Sequence, residues 1–313
     1  MRSMRSMKKT AAVLPSALAL ALAVLTAALA ALAAAPVASA TEERMTVEPF
    51  GTVTLYRTAP HPSHLAIFVS GDGGWKLGVV DMARELAAMD ALVAGVDITR
   101  YIKTMVAGAA AAPDSCFDPG KDLAELARTV AEHAGMAGSP VPILVGYSSG
   151  ATLVYAALVQ APQHTFAGAV SLGFCPDLIV NMPICKGNGL EWKPDPSHKG
   201  IDFQPSRLLE VPWIALQGDI DKICTPADTR TYVAKVPHGE LVWLHKVGHG
   251  FSVPRNWMPQ LKASFARVER AQRTAVYSER MPFSTRRATS VKPAAARASR
   301  ITSGGTQRSI VSQ

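Results

Sequence analysis

The sequence predicts an α/β domain with a mostly parallel sheet and helices on both faces. Three observations carry this. Short β-rich runs recur between stretches of helical spacing. The runs are apolar almost throughout, as in strands buried on both faces. One of them, Val141–Gly146, passes through a glycine-flanked serine directly into a helical stretch.

In chain order, Met45–Tyr56 alternates its side chains and is expected as an antiparallel lead-in at the sheet edge. The core strands are expected at Leu65–Ser70, Ala91–Asp97, Val141–Gly146, Phe166–Leu172, Val211–Gln217 and Glu240–His245. Helical patterns fall at Leu77–Met89, Leu123–His133, Ser149–Gln160, Ala227–Ala234 and Trp257–Val268. Strands that alternate with helices in this way join in parallel. From Pro176 to Leu208 the chain is rich in Pro, Gly, Asn and Lys and has little periodicity. A long irregular stretch inside a compact domain is usually functional or disordered. It reads as a cap loop over the site, with Trp192 as an anchor.

The chain has 313 residues, of which 48% are hydrophobic and 18% charged. That excludes a disordered polar chain and a collagen-like repeat. The net charge of +8 is unevenly placed. Residues 1–40 hold four basic residues and no acid, and 271–313 hold eight against one; 41–270 hold 20 against 23 and are slightly acidic. The basicity therefore does not indicate a nucleic-acid surface.

Residues 1–40 have a basic start, an apolar Ala/Leu run and an Ala38-Ser39-Ala40 site, the pattern of a secretory signal peptide; a retained anchor is the alternative. A periplasmic or secreted bacterial protein is expected. Residues 41–270 are read as the folded domain. Residues 271–313, rich in Arg, Ser, Thr and Ala, are read as a disordered basic tail, for which contact with an anionic membrane surface is a physically allowed role. Cys116, Cys175, Cys185 and Cys224 lie inside the domain, and an even count in an exported protein suggests two disulfides. Of three pairings, Cys175–Cys185 closes a short loop and leaves Cys116–Cys224. None of the four is spaced as a metal site, and no cofactor is implied.

The chemistry lies at Gly146-Tyr147-Ser148-Ser149-Gly150, a G-x-S-x-G after a strand and before a helix. A serine hydroxyl is a weak nucleophile unless it is exposed and paired with a base. The sharp turn exposes Ser148 at the sheet's C-terminal edge, and a helix N-terminus favours a developing anion. The partners should follow as an acid and then a histidine, both after later strands. Asp221 is the expected acid, with Asp219 as runner-up. His249 is the expected base, with His245 as runner-up. For the oxyanion, the Ser149 and Asp72 N–H groups are the expected donors. Asp72 also fits a helix N-cap. Gly71, Gly73, Trp75 and Tyr147 are expected to line the substrate; Trp75 fits core packing equally well.

The segments Ser70–Trp75 (SGDGGW), Gly95–Tyr101 (GVDITRY), Gly146–Ala151 (GYSSGA), Gly218–Asp221 and Gly248–Phe251 resemble the VirJ/AcvB-type bacterial virulence protein family, within the α/β-hydrolase fold. The resemblance implies an exported serine hydrolase that cleaves an ester through a Ser-His-Asp acyl-enzyme. It points to a small-molecule or lipid ester substrate, aminoacyl-phosphatidylglycerol among them. Arg100 and Tyr101 are either substrate contacts or structural. The alternative is a non-enzymatic virulence or secretion accessory protein that binds an envelope partner.

Overall fold

The computed structural model describes residues 40–76, 78–109, 116–136, 138, 140–195 and 200–280. The expected signal segment, Ala40 excepted, and 281–313 of the expected tail lie outside the described residues.

The strands of the main sheet are β1 (Thr41–Val47), β2 (Gly51–Arg57), β3 (His64–Val69), β4 (Ala91–Val96), β5 (Ile143–Tyr147), β6 (Gly168–Leu172), β10 (Trp213–Gly218) and β11 (Gly239–Leu244). Their order is β1-β2-β4-β3-β5-β6-β10-β11. Pairing is antiparallel at β1–β2 and β2–β4 and parallel everywhere else in that sheet. The alternating lead-in is thus a hairpin rather than one strand, with β1 at the sheet edge and β2 between β1 and β4. The helices are α1 (Gly78–Ala87), α2 (Ile98–Ala109), α3 (Pro119–His133), α4 (Ser149–Gln160), α5 (Pro226–Val233) and α6 (Met258–Arg280). Among the described residues no helix is long and apolar enough to cross a membrane.

Each central strand feeds two cores, because successive side chains point to opposite faces. Leu65, Ile67, Val69, Leu144, Trp213 and Ala215 join one cluster, with residues of α2 to α5. Ala66, Phe68, Val145, Ile214 and Leu216 join the other, with Met82 and Leu86 of α1 and Leu261, Phe265 and Val268 of α6. Helices therefore cover both faces of a sheet whose strands are apolar on both sides.

α2 was not expected from the sequence. Asp97 starts it, accepting hydrogen bonds from the Thr99 N–H (2.9 Å) and hydroxyl (2.7 Å). Its Tyr101 is buried, stacks on Phe50 (4.4 Å between centroids) and donates to Asp122 (2.7 Å). Arg100 donates to the Thr52 hydroxyl (3.3 Å). Both residues bind α2 to its neighbours, the structural of the two roles considered for them.

Three expectations are corrected here. The stretch 176–208 is not wholly irregular: β7 (Asp177–Leu178), β8 (Trp192–Asp195) and β9 (Gly200–Phe203) form a small antiparallel sheet in the order β7-β9-β8. It covers the outer side of α4. Asn188 donates to the Gln160 carbonyl (2.7 Å), Gln160 Nε2 to the Cys185 carbonyl (2.7 Å), and the Ser206 N–H to the Tyr155 hydroxyl (2.9 Å). Trp192 donates to the Ile184 carbonyl within the same stretch (2.8 Å). This second cover explains why nearly every residue of α4 is buried, as a helix apolar all round requires. The helix α6 also continues to Arg280, ten residues into the stretch expected as tail. Gln272 donates to the Val141 carbonyl (3.0 Å), and the run is rich in helix-favouring Ala, Arg and Gln.

The disulfides are the third correction. Cys116 pairs with Cys185 and Cys175 with Cys224. Short loop closure does not decide the pairing. Instead, the Cys185 N–H donates to the Phe117 carbonyl (2.8 Å), which brings Cys116 beside Cys185. Cys175 follows β6 and Cys224 follows β10, which are neighbours in the sheet.

Phe265 is fully buried between α6 and the sheet. Phe265→Ala should lower the unfolding free energy by about 3–5 kcal/mol, read from urea titration. A loss below about 1 kcal/mol, the size of an ordinary surface change, would contradict this docking of α6.

Candidate active site

The C-terminal ends of β3, β5, β6, β10 and β11 share one rim, since Val69 is level with Gly146, Tyr147 with Leu172, Leu172 with Leu216, and Gly218 with Leu244. The chain leaves β5 at this rim through Ser148, whose backbone sits at φ +55°, ψ −126°. This is a conformation that L-residues seldom adopt, and it is held from outside. The Ser148 N–H donates to the Leu172 carbonyl of β6 (2.9 Å). A Cβ on Gly146 would lie 2.2 Å from the Gly150 carbonyl oxygen, and one on Gly150 would lie 2.3 Å from the Ser70 and Val69 oxygens. Only glycine permits strand, turn and helix to approach this closely.

Ser148, His249 and Asp221 form one hydrogen-bonded chain. Ser148 Oγ lies 2.8 Å from His249 Nε2, and His249 Nδ1 lies 2.9 Å from Asp221 Oδ2. A carboxylate only accepts, so Nδ1 carries the proton and Nε2 is free to accept from the serine hydroxyl. The Asp221 side chain is fully shielded from solvent. Its other oxygen accepts from the Ile223 N–H (2.8 Å) and the Cys224 N–H (3.0 Å). Burial by itself raises the Asp221 carboxyl pKa; the hydrogen bonds from His249, Ile223 and Cys224 outweigh it and hold the group below the ordinary carboxylate value.

The runners-up pair with each other. His245 Nδ1 lies 2.8 Å from Asp219 Oδ2, and the Lys246 N–H donates to Asp219 Oδ1 (2.8 Å). This pair joins the turns after β10 and β11. Its His245 side chain is 77% exposed and points to solvent instead of Ser148.

The glycine-rich loop after β3 lies against the turn: a Cβ on Gly71 would be 2.9 Å from Ser148 Cβ. Asp72 accepts from the Ser149 hydroxyl (2.7 Å), joining the two segments expected to supply N–H donors. Ser149 opens α4, and first-turn N–H groups have no intrahelical acceptor. Asp97 holds the far end of the loop by accepting from the Trp75 N–H (3.2 Å). Gly73 is exposed, with open space where a Cβ would be. Trp75 is in the core-packing position of its two readings. Its ring lies on Gly95, meets Phe68 edge-on (5.5 Å), and donates to the Tyr56 hydroxyl (3.1 Å). Tyr147 supports the histidine: its hydroxyl donates to the His249 carbonyl (2.9 Å) and its ring lies 5.9 Å from the imidazole.

The sequence reading missed Gly173, which follows β6 at φ +63° and lies against the imidazole. A Cβ there would come within 3.3 Å of His249 Cε1 and Nδ1. It sits just past a strand end at the rim, the one signal that could have pointed to it. Asp221, Cys224 and His249 also place possible ligand atoms within 4.8 Å of one another. Cys224 Sγ is bonded to Cys175 and offers no thiolate, and His249 Nδ1 is already engaged by Asp221. The cluster is thus accounted for by hydrogen bonding and the disulfide.

This strand order, with a strand–turn–helix serine after the fifth strand and an aspartate and a histidine after the last two, defines the α/β-hydrolase fold. Residues 63–172, from the approach to β3 to the end of β6, match the family described as bacterial virulence protein (VirJ). No curated protein matches the chain. Among solved structures, an esterase domain from Rhodothermus marinus is 14% identical with a TM-score of 0.47, over 75% of this chain and 98% of that one. An esterase from Pyrobaculum calidifontis is 14% identical with a TM-score of 0.48, over 80% and 88%. A membrane phospholipase A, described as a bacterial virulence factor, is 15% identical with a TM-score of 0.48, over 80% and 96%.

Two outcomes follow from the geometry. Ser148→Gly should stabilise the protein by about 1 kcal/mol by releasing the positive-φ backbone, seen as a higher urea midpoint; an unchanged or lower midpoint would argue against stored strain. Because the folded Asp221 carboxyl is depressed, its contribution to stability is complete above the unfolded value near ~4 and is lost as pH falls through the folded one. The stability gap between wild type and Asp221→Asn should therefore be open at pH 7 and close toward pH 2. A gap independent of pH would refute the assignment.

Proposed function

We propose that the protein is an exported serine hydrolase that cleaves an ester bond through an acyl-enzyme. The observation that carries the reading is the chain Ser148–His249–Asp221, with both hydrogen bonds below 3 Å and the carboxylate shielded. His249 Nε2 takes the hydroxyl proton as Ser148 Oγ attacks the carbonyl carbon. The oxyanion so formed is met by the N–H groups of Ser149 and Asp72. The tetrahedral adduct collapses, the alcohol leaves with the proton from His249, and the acyl group remains on Ser148. Water then attacks; its proton passes to His249 and returns to Ser148 as the acid is released. Asp221 holds the imidazole tautomer and stabilises the imidazolium.

Export is supported by the two disulfides, which persist in oxidising compartments. The finer substrate reading, an aminoacyl ester of phosphatidylglycerol, rests on the resemblance to the VirJ/AcvB type. Ile220 and Ile223, 58% and 69% exposed on either side of Asp221, suit an ester with apolar parts.

A fluorophosphonate probe should label wild type at one residue, identified by peptide mass as Ser148, and Ser148→Ala should not react. Asp221→Asn should lower kcat on p-nitrophenyl esters by up to ~10⁴-fold, the scale for an acid that orients a histidine. A substrate panel that adds aminoacyl-phosphatidylglycerol tests the finer reading. If the folded protein takes no label and cleaves no ester, it binds rather than catalyses.

A further inference from the structure

The loop that carries Asp221 is short, and its tip is open to water at Lys222 and Ile223. The carboxylate nevertheless has to stay within hydrogen-bond reach of a histidine borne on a different turn. Cys224 is where that loop is fixed. Its N–H donates to Asp221 Oδ1 (3.0 Å), its carbonyl accepts from Gln217 Nε2 (3.0 Å), and its sulfur is bonded to Cys175. Cys175 is itself fixed from the nucleophile's helix, because the Thr152 hydroxyl donates to its carbonyl (2.6 Å). Two residues before it, Gly173 lies against the His249 ring. One covalent bond therefore joins the acid's loop to the segment that touches both the imidazole and α4.

The other disulfide has a different setting. Cys116–Cys185 joins the approach to α3 to the small sheet, beside Gln160 at the far end of α4. A helix of 12 residues puts that end about 18 Å from Ser148.

We propose that Cys175 and Cys224 are positioning residues of the active site: their bond holds the Asp221 loop in register with His249, while the Cys116–Cys185 bond maintains the fold alone. This deepens the serine-hydrolase reading and rests on it. A staple needed only for stability lowers the melting temperature and leaves turnover intact well below it. A positioning bond lowers kcat in folded protein, because a displacement of about 1 Å at a reacting group costs up to ~10²-fold.

The experiment compares wild type with Cys175→Ser/Cys224→Ser, Cys175→Ala/Cys224→Val and Cys116→Ser/Cys185→Ser. Folding is checked by near-UV circular dichroism, and kcat and KM are measured on a p-nitrophenyl ester at least 20 °C, or about that margin, below each melting point, where the native state dominates. The expected result is a kcat lowered about 10- to 100-fold in both Cys175/Cys224 variants with KM within about twofold. The same split is expected in the rate of fluorophosphonate labelling, and the Cys116/Cys185 variant should keep wild-type kcat. Wild-type kcat in a folded Cys175/Cys224 variant overturns the proposal. So does an equal loss in the Cys116/Cys185 variant. If neither Cys175/Cys224 variant folds while the other does, the bond serves stability and the proposal is again overturned. A wild type that neither takes the label nor turns over is a failure of the hydrolase reading itself, and is recognised before any variant is compared.

Discussion

At Ser148 the backbone is held in a conformation that its own residue type disfavours, and the surroundings are arranged to keep it there. The strand before it is pinned between β3 and β6, so the chain cannot relax toward either neighbour. The helix after it is buried on every side and so cannot rotate away. Glycines at 146, 150 and 71 remove the atoms that would otherwise push these segments apart. The cost of the strained residue, about 1–3 kcal/mol, is small against the apolar surface that α4 buries on the sheet and under its second cover. Rigid packing on both sides is what makes such a turn sustainable.

That demand on α4 clarifies the extra sheet at β7–β9. A helix whose residues are almost all apolar would be unstable with one side in water. Leu178, Ile184, Leu190, Ile201 and Phe203 supply the missing cover, and all are buried in the same cluster as α4. Prolines and glycines in this stretch suppress any long periodic pattern, which is why it reads as irregular although it contains pairing strands.

The three groups of the site are held with unequal security. Ser148 is fixed by the sheet. His249 rests between Tyr147, Gly173 and the turn that ends at Phe251, whose carbonyl accepts from Trp257 (2.9 Å). Asp221 stands on an exposed loop and depends on two backbone donors, a buried glutamine and a disulfide. Below neutral pH its depressed carboxyl also resists protonation, so the ion-dipole contacts of the loop persist into mild acid.

The local code was enough for much of this. Apolar runs that feed helices specified the parallel sheet, because a strand covered on both faces has nowhere to place polar side chains. G-x-S-x-G between a strand and a helix located the turn, since the steric need for glycine at fixed offsets is written in adjacent residues. Chain order then brought Asp221 and His249 forward, but could not separate them from Asp219 and His245, which differ by two and four positions. Only the tertiary structure decided that choice: a two-residue shift along a turn determines whether a side chain points into the rim or into solvent. The same holds for the cysteine pairing, the side on which Trp75 packs and the contact of Gly173 with the imidazole. Each depends on which distant segments become neighbours, and that is set by sheet order and packing rather than by any residue's place in the chain.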